Sequence, residues 1–203
     1  VEDPRDPLLL VNKNSALPQS YVPSSLVTPA VRLSRRTSPS VHRIKQEISL
    51  DVEKLFAAAL EAGHRLVFVS GYRDRATQKQ LWEGYASKSS PAEADTYSAR
   101  GGHSEHETAL AFDLSEESVD MAGLPAFTGT DAAAWVADNA WRHGFILRYP
   151  AGKEAIHQYV AESWHLRHVG HEAARIMFEN KLTLEEFLHE KAAGRLLGGS
   201  GRL

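Results

Sequence analysis

Ser104-Glu105-His106-Glu107-Thr108-Ala109-Leu110-Ala111-Phe112-Asp113 holds a histidine and an aspartate seven residues apart, with small side chains between them. From Thr108 to Ser115 the residues alternate as in a strand: Leu110, Phe112 and Leu114 on one face, Ala109, Ala111 and Asp113 on the other. The aspartate face is lined with very small side chains, which leaves room for an ion and a substrate. Far downstream, Glu162-Ser163-Trp164-His165 adds a second imidazole and a further carboxylate. Two imidazoles and one carboxylate, with a carboxylate to spare, are the inventory of a catalytic zinc site, where three protein ligands leave a position open for water.

Composition narrows the chemistry. The 203-residue chain can bury one sizeable core, and with 42% hydrophobic and 24% charged residues it reads as an ordinary globular domain. A net charge of -3 gives no electrostatic reason to expect nucleic acid as a partner. With no cysteine there is neither a disulfide framework nor a thiolate metal site, so any metal is held by histidine and carboxylate. No apolar run approaches the roughly 18 residues of a membrane span. Val1-Glu2-Asp3-Pro4 is acidic and polar and does not read as a signal peptide.

Around the opening stretch, residues 1–40 read as an extended arm, because Pro4, Pro7, Pro18, Pro23, Pro29 and Pro39 interrupt any helix. Its Leu8-Leu9-Leu10-Val11 run reads as a strand or an anchor on the core. Residues 40–62 read as a helix, with Val41, Ile44, Ile48, Val52, Leu55, Phe56 and Ala59 three and four apart and Gly63 as a stop. Leu66-Val67-Phe68-Val69 reads as a buried strand running into the Ser70-Gly71-Tyr72-Arg73 turn and a helix over 76–85. The Ser-, Ala- and Gly-rich residues 86–105 read as one long loop, a usual place for function. Residues 131–143 form a predicted helix with Thr130 or Asp131 as cap and Gly144 after it. Strands are predicted over 145–149 and 164–169, and closing helices over 171–179 and 184–193, the last with a Thr183/Glu186 capping box. No regular βαβ rhythm appears, so the fold class is α+β: a small antiparallel sheet with helices around it.

The site residues each have a plainer reading too. A charged Asp113 inside an apolar strand is costly unless paired or coordinated, but a loop hydrogen bond would also serve. Glu162 and His165 would share a helix face, yet residues 164–169 alternate like a strand, so a bend at Ser163 is needed to bring the two together. Arg73 suits an oxyanion, but alone it reads as a surface arginine paired with Asp74 or Glu83. His64, His143, His157, His171 and His189 read as isolated surface histidines, and His103 and His168 fit no ligand spacing. Trp82, Trp135, Trp141 and Trp164 read as core residues, and Glu105, Glu107, Glu116 and Glu117 as a solvated rim.

Taken together, Ser70-Gly71-Tyr72-Arg73, then Ser104-x-His106-x6-Asp113, then Glu162-x-Trp164-His165 resembles the VanY-type D-alanyl-D-alanine carboxypeptidases, a family that includes the L,D-carboxypeptidases of peptidoglycan. The likeness runs from about residue 10 to about residue 190. It takes in Val11-Asn12-Lys13 with Leu17-Pro18-Gln19-Ser20-Tyr21-Val22-Pro23, and Gly144-Phe145-Ile146-Leu147-Arg148-Tyr149-Pro150. The resemblance implies zinc held by His106, Asp113 and His165, Glu162 as catalytic carboxylate, and Arg73 facing the reacting centre. It further implies that Gln78, Ser104 and Tyr149 line the substrate pocket. Three positions depart from the family pattern: Ala109 replaces the usual glycine, Ser163 the usual proline, and His157-Gln158 a common Thr-Gly pair.

The resemblance implies removal of the C-terminal D-alanine from a peptidoglycan stem peptide, by a monomer acting outside the cytoplasmic membrane. Residues 1–40 would be the arm, 41–195 the catalytic domain and 196–203 a flexible tail. The alternatives are an L,D-carboxypeptidase or endopeptidase on the same scaffold, or a non-catalytic zinc-containing wall-binding module.

Overall fold

A four-stranded antiparallel sheet is ordered β3 (Leu66–Ser70), β4 (Ala111–Glu116), β6 (Glu162–His168) and β5 (Phe145–Tyr149). The structure is a computed structural model that describes residues 6–196; the flexible-tail assignment, from residue 197 on, and the first five residues of the arm lie outside the described residues. The earlier β1 (Leu26–Val27) and β2 (Ile44–Lys45) form a separate two-stranded sheet. The helices are α1 (Gln46–Glu61), α2 (Arg75–Lys88), α3 (Pro91–Ala94), α4 (Asp131–Asn139), α5 (Glu154–His157), α6 (His171–Asn180) and α7 (Leu184–Ala192). This is the α+β class, with short antiparallel pairings and helices around them.

Period-two alternation sorts the sheet into two faces. Phe68, Phe112, Leu114, Phe145 and Leu166 are fully buried on one side, where α1 adds Ile48, Val52, Leu55, Phe56 and Ala59 and α4 adds Ala132, Ala133 and Val136. Phe112 is central: its ring lies 5.0 Å from Phe68 and 5.4 Å from Phe145, stacked on one and edge-on to the other. The opposite face carries the polar residues Asp113, His165, Arg148 and Arg167.

Residues 40–45 do not continue α1. They form a 3-10 turn over Pro39–Val41 and then β2. Their backbone is claimed elsewhere: Val41 O accepts from Gly71 N, Arg43 O from Tyr72 N, and Lys45 N donates to Ala109 O. Tertiary hydrogen bonds therefore override the helical spacing of Val41 and Ile44. The same crossing explains Gly71, where an added Cβ would sit 2.3 Å from Arg43 O.

Residues 86–105 are not one loop either. α2 extends to Lys88, and Ser90 caps the short α3 by accepting from Glu93 N, with Pro91 at its first turn. The opening stretch also begins differently from a plain strand. Glu105–Thr108 is a 3-10 turn capped by Ser104, and Ala109 follows at φ 57°, ψ 18°, before β4 starts.

A left-handed alanine costs about 1–2 kcal/mol relative to the right-handed region. Its fully buried methyl returns about 0.8 kcal/mol, and glycine would add roughly 0.4–1 kcal/mol of unfolded-chain entropy. These terms nearly cancel. Ala109→Gly is therefore expected to leave stability within about 1 kcal/mol of the parent, read by thermal unfolding. A loss above ~2 kcal/mol would show that the methyl fills space nothing else can close.

In the arm Leu9, Val11 and Leu17 are buried in a cluster of their own, while Leu8 and Leu10 pack against the apolar cluster of α6 and α7. Leu8–Val11 forms no strand; the backbone oxygens of Pro7 and Leu9 accept from Arg167 Nη2 at 2.8 Å each. Farther along, Phe68 N donates to Arg32 O and Ser34 N to Phe68 O, so the arm also lies along the edge of β3. The tryptophans at 82, 135, 141 and 164 are half-buried; Trp135 and Trp164 pack against the main core and Trp141 against the cluster of α6 and α7, whereas Trp82 joins neither.

Candidate active site

Two pairings of the sheet assemble the site. Asp113 on β4 is the direct cross-strand partner of His165 on β6. Antiparallel partners hold their Cβ atoms about 5 Å apart, so side chains fifty-two residues apart in sequence meet, with His165 Nδ1 3.1 Å from Asp113 Oδ1. His106 comes from the 3-10 turn before β4, and its Nε2 lies 3.3 Å from Asp113 Oδ2. The two imidazole rings are 4.9 Å apart, edge to face.

Glu162 joins them through an irregularity. β5 and β6 pair Leu147 with Leu166 but Tyr149 with Glu162, two steps on one strand against four on the other. Such a bulge bends its strand. It is the bend that a regular strand would lack, and it brings Glu162 Oε2 to 4.0 Å from His165 Nδ1. Arg73 follows β3, its Nη1 donating to Ser70 Oγ at 2.9 Å and its Nε to Gln78 Oε1 at 3.1 Å. The guanidinium reaches 3.5 Å from Asp113 Oδ2. It is neither a surface group nor paired with Asp74 or Glu83.

His106, Asp113 and His165 offer one ligand atom each within 4.8 Å of one another, and all three are buried. The donor set passes a chemical test for zinc. His106 Nδ1 lies 2.6 Å from Gly71 O, a carbonyl that can only accept. Its Nε2 therefore carries the lone pair, and it faces Asp113. His165 Nε2 lies 3.4 Å from Glu105 Oε2, which leaves Nδ1 facing Asp113 and Glu162. Nitrogen and carboxylate donors without thiolate suit zinc in an open catalytic site.

The field across the cluster is uneven, favouring positive charge at His165 and disfavouring it at His106. Burial alone would lower His165, but its hydrogen bonds to Asp113 and Glu105 outweigh that and hold it at about 9. Burial also works against a charged Asp113, yet the charges and hydrogen bonds of His106 and His165 keep its carboxyl well below the usual range. His106 falls to about 4, through burial first and then the charge of Arg73. Glu162 rises to about 7, mainly because it is buried. A carboxyl tuned near neutrality can both take up and return a proton.

These groups open into a cleft of about 360 Å³. Arg73, Gln78, Ser104, Tyr149 and the His106, Asp113, His165 and Glu162 cluster all line it. The polar ends of Gln78 are already engaged, because Oε1 accepts from Arg73 and Nε2 donates to Ala99 O at 2.7 Å. Ser104 Oγ accepts from His106 N at 3.3 Å. The Tyr149 ring stands 5.0 Å from the ring of His165. The sequence reading passed over Leu81, Tyr85, Tyr97, Leu124, Val160 and Tyr159, which form apolar and aromatic walls. No motif marks them, since they come from four separate segments.

Two assignments are corrected. Glu105 and Glu107 are no solvated rim: they are 1% and 4% exposed. Glu107 accepts from Gly102 N at 2.6 Å and from Arg75 Nε at 3.2 Å, and Glu105 accepts from two arginines. Glu116 and Glu117 do lie toward solvent. His157 is 1% exposed, with Nε2 3.0 Å from Pro150 O and Nδ1 accepting from Tyr159 N at 3.3 Å. Its role is to hold the turn before β6.

The sequence model of the VanY family, described as D-alanyl-D-alanine carboxypeptidase, matches residues 41–171. A putative carboxypeptidase of Bacillus subtilis, YodJ, is 40% identical over 190 residues, covering 94% of this chain and 70% of that protein. A D-alanyl-D-alanine carboxypeptidase of Enterococcus faecalis is 34% identical, covering 90% of this chain and 65% of that protein. Among solved structures, the LdcB LD-carboxypeptidase superposes with a TM-score of 0.86 at 41% identity, covering 93% of this chain and 88% of that one. A vancomycin-resistance D,D-pentapeptidase VanY in complex with Zn(II) gives 0.72 at 33% identity, covering 89% and 98%.

Proposed function

This chain belongs to the VanY family of carboxypeptidases, zinc-dependent peptidases of peptidoglycan, and from that premise we propose that it removes the C-terminal D-alanine of stem peptides, with His106, Asp113 and His165 as zinc ligands and Glu162 as general base. The observation that carries this reading is the Glu162 carboxylate, set 4.0 Å from His165 and facing the two-histidine, one-aspartate cluster inside a cleft. The substrate places the activity outside the cytoplasmic membrane. Among the described residues no helix is long and apolar enough to cross a membrane.

His106, Asp113 and His165 would hold the zinc, which would supply Lewis acidity and make water more acidic at that point. Glu162 takes the proton of the attacking water and returns it to the departing amine, so that one carboxyl serves as base and then as acid. Arg73 is held in place by Ser70 and Gln78 and brings a permanent positive charge to the cleft, where the oxyanion forms. Gln78 acts by orienting Arg73, while Ser104 sets the turn that carries His106. Tyr149 walls the cleft beside His165 and confines the peptide there. Residues 97–99 and 104–105 line the cleft, and a wall there suits a pocket for a chain end.

A second reading has its own support. The likeness to the LdcB LD-carboxypeptidase, at TM-score 0.86 and 41% identity, exceeds that to VanYB with D-alanine-D-alanine, at 0.74 and 34%. Under it the bond cut is the L,D bond of a tetrapeptide, with the same ligands and base. Mass spectrometry of defined pentapeptide and tetrapeptide stems, with a chelated control, separates the two. Loss of one alanine from the pentapeptide, abolished by chelation, is the expected result. Cleavage of the tetrapeptide alone moves the chain to the L,D reading. Turnover of neither by zinc-loaded protein removes both and favours a binding module.

A further inference from the structure

We propose that Glu105, held by Arg148 and Arg167, is a positioning residue that fixes the tautomer and ring orientation of His165. This inference rests on the reading of His165 as a zinc ligand. It concerns why that imidazole presents Nδ1 to Asp113 and Glu162, while His106 presents the opposite nitrogen.

The side chain of Glu105 is fully buried. One oxygen, Oε1, accepts from Arg148 Nε and from Arg167 Nη1, both at 2.8 Å. The other, Oε2, lies 3.4 Å from His165 Nε2. The arginines are themselves immobilised. Arg148 makes a bidentate pair with Glu185 at 2.7 and 3.0 Å, and Arg167 donates to Pro7 O and Leu9 O. Glu105 thus cannot swing: two guanidinium groups hold one oxygen, and the second points at the imidazole. Carboxylates in this relation to a ligating histidine hold the ring and raise its basicity.

A purely structural role explains the arrangement less well. Two buried arginines and two carboxylates could be replaced by apolar side chains of similar volume at little or no loss of stability. The position of Glu105 also has a consequence that packing does not require. It precedes His106 in the same 3-10 turn, so one turn delivers one ligand and the backstop of the other. Tyr149 completes the cradle, with its ring 5.0 Å from both the His165 ring and the Arg148 guanidinium.

Glu105→Gln is the informative variant. Two guanidinium donors require the amide oxygen on their side, which turns the amide NH2 toward His165 Nε2. A donor there favours the tautomer protonated on Nδ1, the nitrogen that faces Asp113. Zinc affinity, measured by competition with a chromophoric chelator, is expected to fall about 10- to 100-fold. Glu185→Gln perturbs the same arginine without facing His165, and its zinc affinity is expected to stay within about twofold of the parent, well short of the loss assigned to a carboxylate that backs a ligand.

Unchanged affinity in Glu105→Gln, with His165→Ala impaired, overturns the positioning role and leaves His165 a ligand. Unchanged affinity in His165→Ala removes the ligand reading and this inference with it. Equal losses in Glu105→Gln and Glu185→Gln show a structural cluster and overturn the proposal. If Glu105→Gln does not fold, 15N NMR of histidine-labelled, zinc-loaded parent decides instead. A proton on His165 Nε2 is expected, and a proton on Nδ1 overturns the proposal.

Discussion

Glu162→Ala is expected to bind zinc as the parent does and to turn over stem peptide on the order of 100- to 10,000-fold more slowly, the usual contribution of a well-placed acid–base group. Glu162 Oε2 stands 4.0 Å from His165 Nδ1 but is no part of the three-residue donor cluster. The loss therefore belongs in kcat, with metal content unchanged. Zinc is counted per chain by elemental analysis and turnover by release of D-alanine. Near-parental turnover would remove Glu162 as the base. Loss of zinc together with activity would make it a ligand instead.

The second large effect is on stability. Arg148→Met leaves Glu105 and Glu185 without the fully buried guanidinium that joins them at 2.8 and 2.7 Å. Breaking a buried ion pair from one side costs about 3–5 kcal/mol, because the remaining charge stays buried. For a domain of this size each kcal/mol lowers Tm by roughly 2–4 °C, so a drop of about 6–20 °C is expected by calorimetry. Arg148→Lys would recover only part of it, since an ammonium cannot make the fork to both carboxylates. The exposed Arg175–Glu179 pair is the control: removing Arg175 is expected to cost no more than about 0.5 kcal/mol. Equal drops for the two variants would show that burial of the Arg148 cluster adds nothing.

Much of the scaffold was legible because local rules governed it. The spacing of Ile48, Val52, Leu55, Phe56 and Ala59 marks the buried stripe of α1, and the Thr183/Glu186 pair forms the capping box that its spacing announces. Strand β5 spans the residues its apolar run indicates. Boundaries moved where distant backbone intervened. Ile44 keeps a helical spacing yet lies in β2, because Gly71, Tyr72 and Ala109 hydrogen-bond to that segment. In residues 86–105 the Ser90-Pro91-x-Glu93 cap was present in the sequence but hidden by the Ser- and Ala-rich composition around it.

The sequence by itself determined which chemistry this chain can hold: two imidazoles and two carboxylates in the VanY order, no thiolate, and a strand that leaves small side chains beside its aspartate. Period-two alternation and donor chemistry are local properties, and local properties survive in one dimension. Only the tertiary structure decided that Glu162 turns to meet His165, since a bulge is a relation between two strands. It also decided that Glu105 is buried behind the site and not solvated. A run of glutamates looks alike on paper, whereas burial depends on Arg148 and Arg167 arriving from β5 and β6. Charges are placed by partners distant in sequence, and only folding brings those partners together.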